Sequence, residues 1–109
     1  NNKTVQTVTI GKNVKNIGKA AFMGCTKLTK VTIEKNVSSI GAKAFYKCKK
    51  LKSINIKTTK LALKNVDKNA FKGIQKNATV TVPAKKYKSY KTILEKRGIG
   101  KKVTVKKKK

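Results

Sequence analysis

Two cysteines are the side chains best suited to chemistry in this chain. Cys25 and Cys48 are the only thiols, and the chain has no histidine. Zinc normally takes four ligands from Cys, His and carboxylate side chains, so two thiols alone cannot complete a zinc site. We therefore expect no metal and no cofactor, and the cysteines need another interpretation.

The acidic residues do not suggest acid–base catalysis. Glu34, Asp67 and Glu95 are the only carboxylates, and they fall in three different elements of the chain. General acid–base catalysis needs positioned groups within reach of one substrate, and local spacing builds no such pair. The serines have no visible base, although composition leaves a Ser–Lys arrangement open. We expect a protein that is not an enzyme.

The elements that position these residues follow from an internal repeat. Residues 5–27 align with residues 28–50 at an offset of 23, and a third copy begins at Leu51 and carries three extra residues before "VDKNAFKGI". A fourth strand pattern follows at Val80 and Val82. The matched apolar positions of the first two copies are Val5 and Leu28, Val8 and Val31, Ile10 and Ile33, Val14 and Val37, Ile17 and Ile40, Phe22 and Phe45, and Cys25 and Cys48.

The period and its "LxxVxI" start are typical of leucine-rich repeats. One copy has too little apolar surface to fold alone, whereas stacked copies bury a continuous column. The "VTI" segments then become parallel strands about 4.8 Å apart. The "IGKAAF" segments form the opposite wall as a tight turn and a short helix. Gly18 and Gly41 begin that wall, which we interpret as a turn that needs a permissive backbone.

The segments "IGKAAFMGCTKLTKVTI" and "IGAKAFYKCKKLKSINI" resemble bacterial surface leucine-rich repeats of the BspA type. Their shared pattern is Ile-Gly, Ala-Phe, a Cys three residues later, and then Leu and the strand. The third copy departs from it, because Asp67 replaces the Gly and Ile74 replaces the Cys. The resemblance covers about residues 5–82. It implies an exported or cell-surface protein that binds other macromolecules without catalysis.

The predicted fold is an α/β leucine-rich-repeat solenoid of about three to four 23-residue turns in one continuous domain. Residues 1–82 form the array, and residues 83–109 form a C-terminal capping helix, a short strand and a basic tail. The helix is expected over 83–98, because Pro suits a first helical turn and Gly98 follows the last one. Its apolar stripe consists of Tyr87, Tyr90, Ile93 and Leu94. A partner-binding or membrane-surface helix remains an alternative.

Stacking would bring the two cysteines into neighbouring coils with Cα atoms about 5 Å apart, a distance that a disulfide allows. The alternative is a ladder of buried, reduced thiols. We favour the ladder, because side-by-side parallel positions rarely direct their Cβ atoms at each other. Ile74 at the third position also indicates an apolar slot.

The charge of the chain is extreme. Lysine and arginine number 30 against 3 acidic residues, giving a net charge of +27, and Arg97 is the only arginine. Two lysine columns are expected in the stack, one at Lys27, Lys50 and Lys76 and another at Lys12 and Lys35. Such charge can simply keep a secreted repeat soluble, but a surface that serves only solubility normally mixes both signs, and charge of a single sign attracts polyanions.

The outward positions of the strands form a second candidate surface of small polar groups edged by lysine. Exposed strand faces of repeat proteins bind proteins or glycans, whereas β-branched Thr also simply suits strands. Both interpretations stay open. The partner-binding residues that we predict are Lys30, Thr32, Ser53, Asn55, Lys57 and Thr81.

The function that we expect is non-catalytic binding to host or microbial surface proteins or glycans, as in adhesion, by an extracellular or cell-surface bacterial protein. The alternatives are electrostatic association with polyanions such as teichoic acid, sulfated glycan or nucleic acid, and a passive spacer. No apolar run is long enough to span a membrane, and we expect a monomer. Because the strand pattern is already under way at Val5, we expect the C-terminal part of a longer protein.

Overall fold

The computed structural model describes residues 5–108. Five strands form one parallel sheet, and they follow one another across it in the order in which they occur along the chain. The predicted parallel repeat strands are therefore present, with neighbouring coils in register and apolar residues alternating inward. The strands of this sheet are β1 (Thr7–Ile10), β3 (Lys30–Ile33), β5 (Ser53–Ile56), β6 (Thr79–Val82) and β7 (Thr104–Lys107).

A second, smaller ladder forms the opposite wall of the stack. β2 (Asn16–Ile17) pairs in parallel with β4 (Ser39–Ile40), and Val66 of the third coil extends the ladder through a bridge to Ile40. The third coil also has a short 3₁₀ helix, Leu63–Asn65, within its insertion. The wall after these strands is built of turns in the first two coils, as expected, and "IGKAAF" forms no helix there.

The phenylalanine ladder shows how the coils pack. The ring centroids of Phe22 and Phe45 are 5.3 Å apart and those of Phe45 and Phe71 are 5.5 Å apart, with nearly parallel planes. Phe45 and Phe71 are fully buried, whereas Phe22 at the first coil is half-buried. Each ring therefore covers the next, and the first ring has one open side.

Gly18 and Gly41 play a different role from the one expected. Neither has a positive φ angle; in their turns the left-handed residues are instead Ala20 and Gly24 in the first coil and Lys43 and Lys47 in the second. A Cβ atom on Gly41 would lie 2.5 Å from the backbone nitrogen of Lys19. Gly41 is thus required by the close approach of the preceding coil rather than by a special backbone angle.

The helix α1 (Tyr87–Lys96) is present within the predicted 83–98 segment, preceded by a 3₁₀ turn at Ala84–Lys86. Its buried side chains are Tyr90, Ile93 and Leu94, which join the core of the stack. Gly98 has φ of 100° and follows the helix as expected. β7 pairs with β6, and α1 lies between these two strands along the chain. The helix therefore forms the wall of the last coil. The division of the chain at residue 83 stays a prediction.

Two hydrogen bonds and one arginine fasten α1 to the irregular third coil. The Tyr90 hydroxyl donates to the Thr58 carbonyl oxygen at 2.8 Å and accepts from the Leu61 amide at 3.1 Å. The Arg97 guanidinium donates from Nε to the Val66 carbonyl oxygen and from Nη2 to that of Leu63. The single arginine therefore donates to two carbonyl oxygens of the third coil, one in the insertion and one directly after it.

The turn before each strand corrects the expected register of the third coil. The amide of the residue leading into the strand donates to the carbonyl oxygen of Cys25, Cys48, Gln75 and Gly100 in successive coils. By this hydrogen bond Gln75 aligns with the cysteines, whereas Ile74 keeps their spacing of three residues from the phenylalanine and packs half-buried against the core. One further inserted residue explains the shift, and it moves Lys76 into line with Lys49 instead of Lys50.

Candidate functional site

The exposed face of the five-stranded sheet is a grid of aligned side chains. Side chains alternate across a strand, so every second residue points away from the core. Parallel register then brings equivalent residues of adjacent strands into rows. One row consists of Thr9, Thr32, Asn55, Thr81 and Lys106, and the other of Thr7, Lys30, Ser53, Thr79 and Thr104. We call these two rows the strand face.

Five of the six predicted partner-binding residues lie on this face. Thr32, Asn55 and Thr81 are successive neighbours in one row, and Lys30 and Ser53 are neighbours in the other. Lys30 is exposed, and the other four are half-buried by the closeness of the strands. The structure thus brings these five residues together on one surface.

Asn55 lies at the centre of its row and has an unused acceptor. Among the buried side-chain polar atoms of residues 5–108, its Oδ1 is the one without a hydrogen-bond partner. Burying an unpaired acceptor costs free energy, of the order of 1–3 kcal/mol.

Lys57, the sixth predicted residue, is an ion-pair partner. Its Nζ lies 3.3 Å from Oε2 of Glu34, whose side chain is largely buried. Glu34 and Lys57 follow adjacent strands, so their separation is one repeat period. Sequence reasoning noted both positions but did not pair them, although the equal spacing was sufficient to do so. The ammonium of Lys57 is partly neutralised and is a poorer contact for an anion than Lys30.

A row of lysines lies in the turns that precede the strands. These lysines are exposed, and one or two residues separate each turn from the strand that follows it. The three carboxylates lie elsewhere: Glu34 after β3, Asp67 in the opposite wall and Glu95 in α1. We call this row the turn edge. Its lysines are Lys27, Lys49, Lys50, Lys76, Lys101 and Lys102.

The predicted lysine column was thus partly correct. Lys27 and Lys50 share one turn position, whereas Lys76 aligns with Lys49. Sequence reasoning missed Lys101 and Lys102, because α1 interrupts the repeat spacing before the last turn. The signal for a further turn was the Gly-Lys-Lys sequence at residues 100–102, shortly before β7.

The tyrosines outside the core are already covered by cations. Lys43 and Lys47 place their Nζ atoms 5.2 and 5.3 Å from the centroid of the Tyr46 ring. Lys91 and Lys107 lie 5.9 and 5.3 Å from the Tyr87 ring. A ring already approached by two ammonium groups offers little open face for stacking a nucleic-acid base.

The two cysteines form a ladder of reduced thiols in the structure. Both are free and buried. The Cys48 thiol donates a hydrogen bond to the carbonyl oxygen of Phe22 at 3.0 Å. Burial raises the pKa of this thiol from 9.0 to about 11, so the thiol is protonated at neutral pH and is a weak nucleophile. Within residues 5–108, no three potential metal ligands cluster together.

Comparison with known proteins gives one match. A family model described as "BspA type Leucine rich repeat region (6 copies)" matches residues 1–107. No curated protein and no solved structure matches the chain. Within the part of the chain that is described, no helix is long and apolar enough to cross a membrane.

Proposed function

The chain belongs to the BspA-type leucine-rich repeat family, and we propose that it is a non-catalytic binding module for a protein or glycan on a host or microbial surface. The family generally comprises non-enzymatic interaction modules, and its members are typically bacterial surface or secreted proteins. An extracellular or cell-surface location and a monomeric state belong to the same proposal. Adhesion is the role that such a module would serve.

The observation that carries the proposal is the strand face with Asn55 at its centre. The paired strands hold the backbone of this face in place. Its side chains are therefore positioned before a partner arrives, and little entropy is lost on ordering them. Thr32 and Thr81 flank Asn55, and each hydroxyl can donate and accept hydrogen bonds. Such a row suits the hydroxyl groups of a glycan or the peptide groups of a protein.

Two lysines give the strand face its charge, Lys30 on β3 and Lys106 on β7. Lys30 is exposed, and it lies at the end of β3 that is closer to the turn edge. Lys57, by contrast, is held by Glu34. The proposed contact is therefore a polar centre with cations along one side, where charge steers the partner and the fixed polar groups select it.

Association with polyanions is the second candidate function, and the turn edge is the observation that favours it. Six exposed lysines follow one another along the stack without an acidic residue in the same turns. Teichoic acid, sulfated glycan and nucleic acid share repeated negative charge. Such binding depends on the number of neutralised charges rather than on shape, and it weakens steeply with salt.

Salt dependence separates these functions. We would titrate the chain with a sulfated glycan, a teichoic-acid preparation and duplex DNA at about 50 and 200 mM salt, where binding through six to ten phosphate contacts loses roughly 10³–10⁵ in affinity. Binding to all three that collapses at the higher salt concentration would support polyanion association and reject the strand face. Binding to one that survives would support a shaped site. Absence of binding would leave a protein partner or a spacer role.

A further inference from the structure

A hollow of about 400 Å³ lies between the start of α1 and the end of β7. Its volume falls within the range of about 300–1,000 Å³ that is usual for small-ligand pockets. Half of its six lining residues are lysines, and none of the six is acidic. The lining residues are Ala84, Lys85, Tyr87, Lys88, Ser89 and Lys107.

Lys107 stands at a strand position that the other coils give to apolar side chains. It pairs with the buried Val82 across β7 and β6. Ile10, Ile33 and Ile56 hold the same position in the preceding strands, and all three are buried. A lysine in this row breaks the pattern that directs apolar residues to the core, and such departures are expected at functional positions.

The ammonium of Lys107 is directed to α1 instead of to the strand face. Its Nζ lies 5.3 Å from the centroid of the Tyr87 ring, and Nζ of Lys91 lies 5.9 Å from the same centroid. The attraction between an ammonium group and an aromatic face positions both lysines. Both are exposed, so their ammonium groups remain accessible. One ring thus gathers cations from two separate elements at the hollow.

The cations around the hollow have no acidic partner in the described part of the chain. One salt bridge is present within residues 5–108, and it joins Lys57 to Glu34 beyond the ends of β5 and β3. The carboxylate of α1, Glu95, therefore neutralises none of these lysines. Charges of one sign that are gathered around a hollow repel one another, and a bound anion relieves that repulsion.

We propose that this hollow binds a sugar-sized unit that carries a sulfate or phosphate monoester. The oxyanion lies among the ammonium groups of Lys85, Lys88 and Lys107, because charge-assisted hydrogen bonds are about twice as strong as neutral ones. A bare sulfate or phosphate ion leaves most of the hollow open, so there is room for the sugar ring that bears the group. The Ser89 hydroxyl donates to the Lys86 carbonyl oxygen and can still accept from a ring hydroxyl.

This site is separate from both surfaces described above. Alternate residues of a strand point to opposite sides of the sheet, so Lys107 lies on the side opposite to the strand face. None of the lining residues belongs to the turn edge. The inference therefore goes beyond the proposed binding module, and the two can fail independently.

The test measures binding of small probes to the full chain by isothermal titration calorimetry. The titrations are made at about 150 mM salt, where exposed charges more than about 8 Å apart are largely screened. The probes are N-acetylglucosamine 6-sulfate, glucose 6-phosphate, inorganic sulfate, inorganic phosphate and glucose. We expect saturable binding of at least one charged sugar with one ligand per chain, weaker binding of the inorganic ions, and none of glucose. The charged sugar that binds more tightly identifies the group as sulfate or phosphate.

Two variants of equal charge supply the control. Lys88→Gln with Lys107→Gln removes two cations from the hollow, whereas Lys27→Gln with Lys50→Gln removes two exposed cations from the turn edge. We expect the first pair to weaken binding of the charged sugar about tenfold or more, because two charge-assisted hydrogen bonds are lost. The second pair should leave the affinity nearly unchanged. Circular dichroism verifies that each variant is folded before it is titrated.

Tyr87→Leu tests the arrangement of the cations without changing the charge. We expect it to weaken binding several-fold, because Lys91 and Lys107 lose the ring that positions them. Equal weakening by both lysine pairs would overturn the proposal, since charge alone would then account for the binding. Absence of saturable binding to either charged sugar would also overturn it, and so would inorganic ions that bind as tightly as the sugars.

Discussion

The thiol of Cys48 donates a hydrogen bond to the main-chain carbonyl oxygen of Phe22, 3.0 Å away in the preceding coil. The contact joins the aromatic ladder of one coil to the turn of the next, and it explains why a small sulfur side chain suits this position better than an alkyl group. The thiol is also buried, and burial raises its pKa and so keeps it protonated at neutral pH. The cysteines are thus packing residues of the stack rather than reactive groups.

Stability should therefore fall in alkaline solution through Cys48. Burial raises the pKa of its thiol to about 11 in the folded chain, above its ordinary value of 9.0. A raised pKa means that this contribution is fully present below about pH 9 and is lost as the pH rises toward 11, by roughly 2–3 kcal/mol in total. Urea unfolding between pH 8 and 11 measures the loss.

The matched control for this prediction is Cys48→Ala, which starts less stable but cannot ionise at this position. Both chains share the titration of the lysines, so the difference between their stability curves isolates the thiol. The prediction fails if that difference stays constant from pH 8 to 11.

The middle ring of the aromatic ladder should be the most sensitive core position. Phe45 is fully buried between Phe22 and Phe71. Phe45→Ala should cost roughly 3–5 kcal/mol because it leaves a cavity in the stack, and Phe45→Leu should give a milder loss. Phe22→Ala is the matched control, since its ring is half-buried at the open end and should cost clearly less. Equal losses at both positions, measured by urea unfolding, would contradict the stacking order.

Arg97 should be poorly replaced by lysine despite the equal charge. Its guanidinium donates to the carbonyl oxygens of Val66 and Leu63 at once, and a lysine ammonium lacks that planar fork. Arg97→Lys should lower the free energy of unfolding by about 1–2 kcal/mol. Lys96→Arg, one residue earlier on an exposed position, is the control and should be neutral. Equal thermal midpoints for the two variants would show that the guanidinium hydrogen bonds of Arg97 do not stabilise the fold.

The turn edge should not be needed for folding. Lys27 and Lys50 are exposed and occupy the same turn position in adjacent coils. The double change Lys27→Glu and Lys50→Glu should keep the fold and raise the thermal midpoint at low salt, because it relieves like-charge repulsion that salt otherwise screens. Circular dichroism melts at about 20 and 200 mM salt measure this. Unfolding of the double variant would show that these lysines make contacts the structure does not contain.

The repeat spacing predicted the parallel sheet, the apolar column and the strand face, because those features depend on residues at a constant offset. Features that depend on departures from the offset were missed. The inserted residue before Gln75 moved Lys76 by one position. Because α1 separates β7 from the last matched repeat, the repeat spacing could not predict that β7 pairs with β6. The clash that makes Gly41 obligatory comes from the neighbouring coil's backbone, which no single position of the sequence reveals.

The measurement that most directly tests the proposed function compares two variants of equal charge. Thr32→Glu with Thr81→Glu changes the strand face, whereas Lys27→Thr with Lys50→Thr changes the turn edge, and each lowers the net charge by two. Both would be screened with the natural chain, at about 200 mM salt, on an array of extracellular-matrix proteins and of neutral and sulfated glycans. We predict binding by the natural chain and the turn-edge variant, with a loss confined to the strand-face variant. Binding that the strand-face variant retains and the turn-edge variant loses would contradict the account.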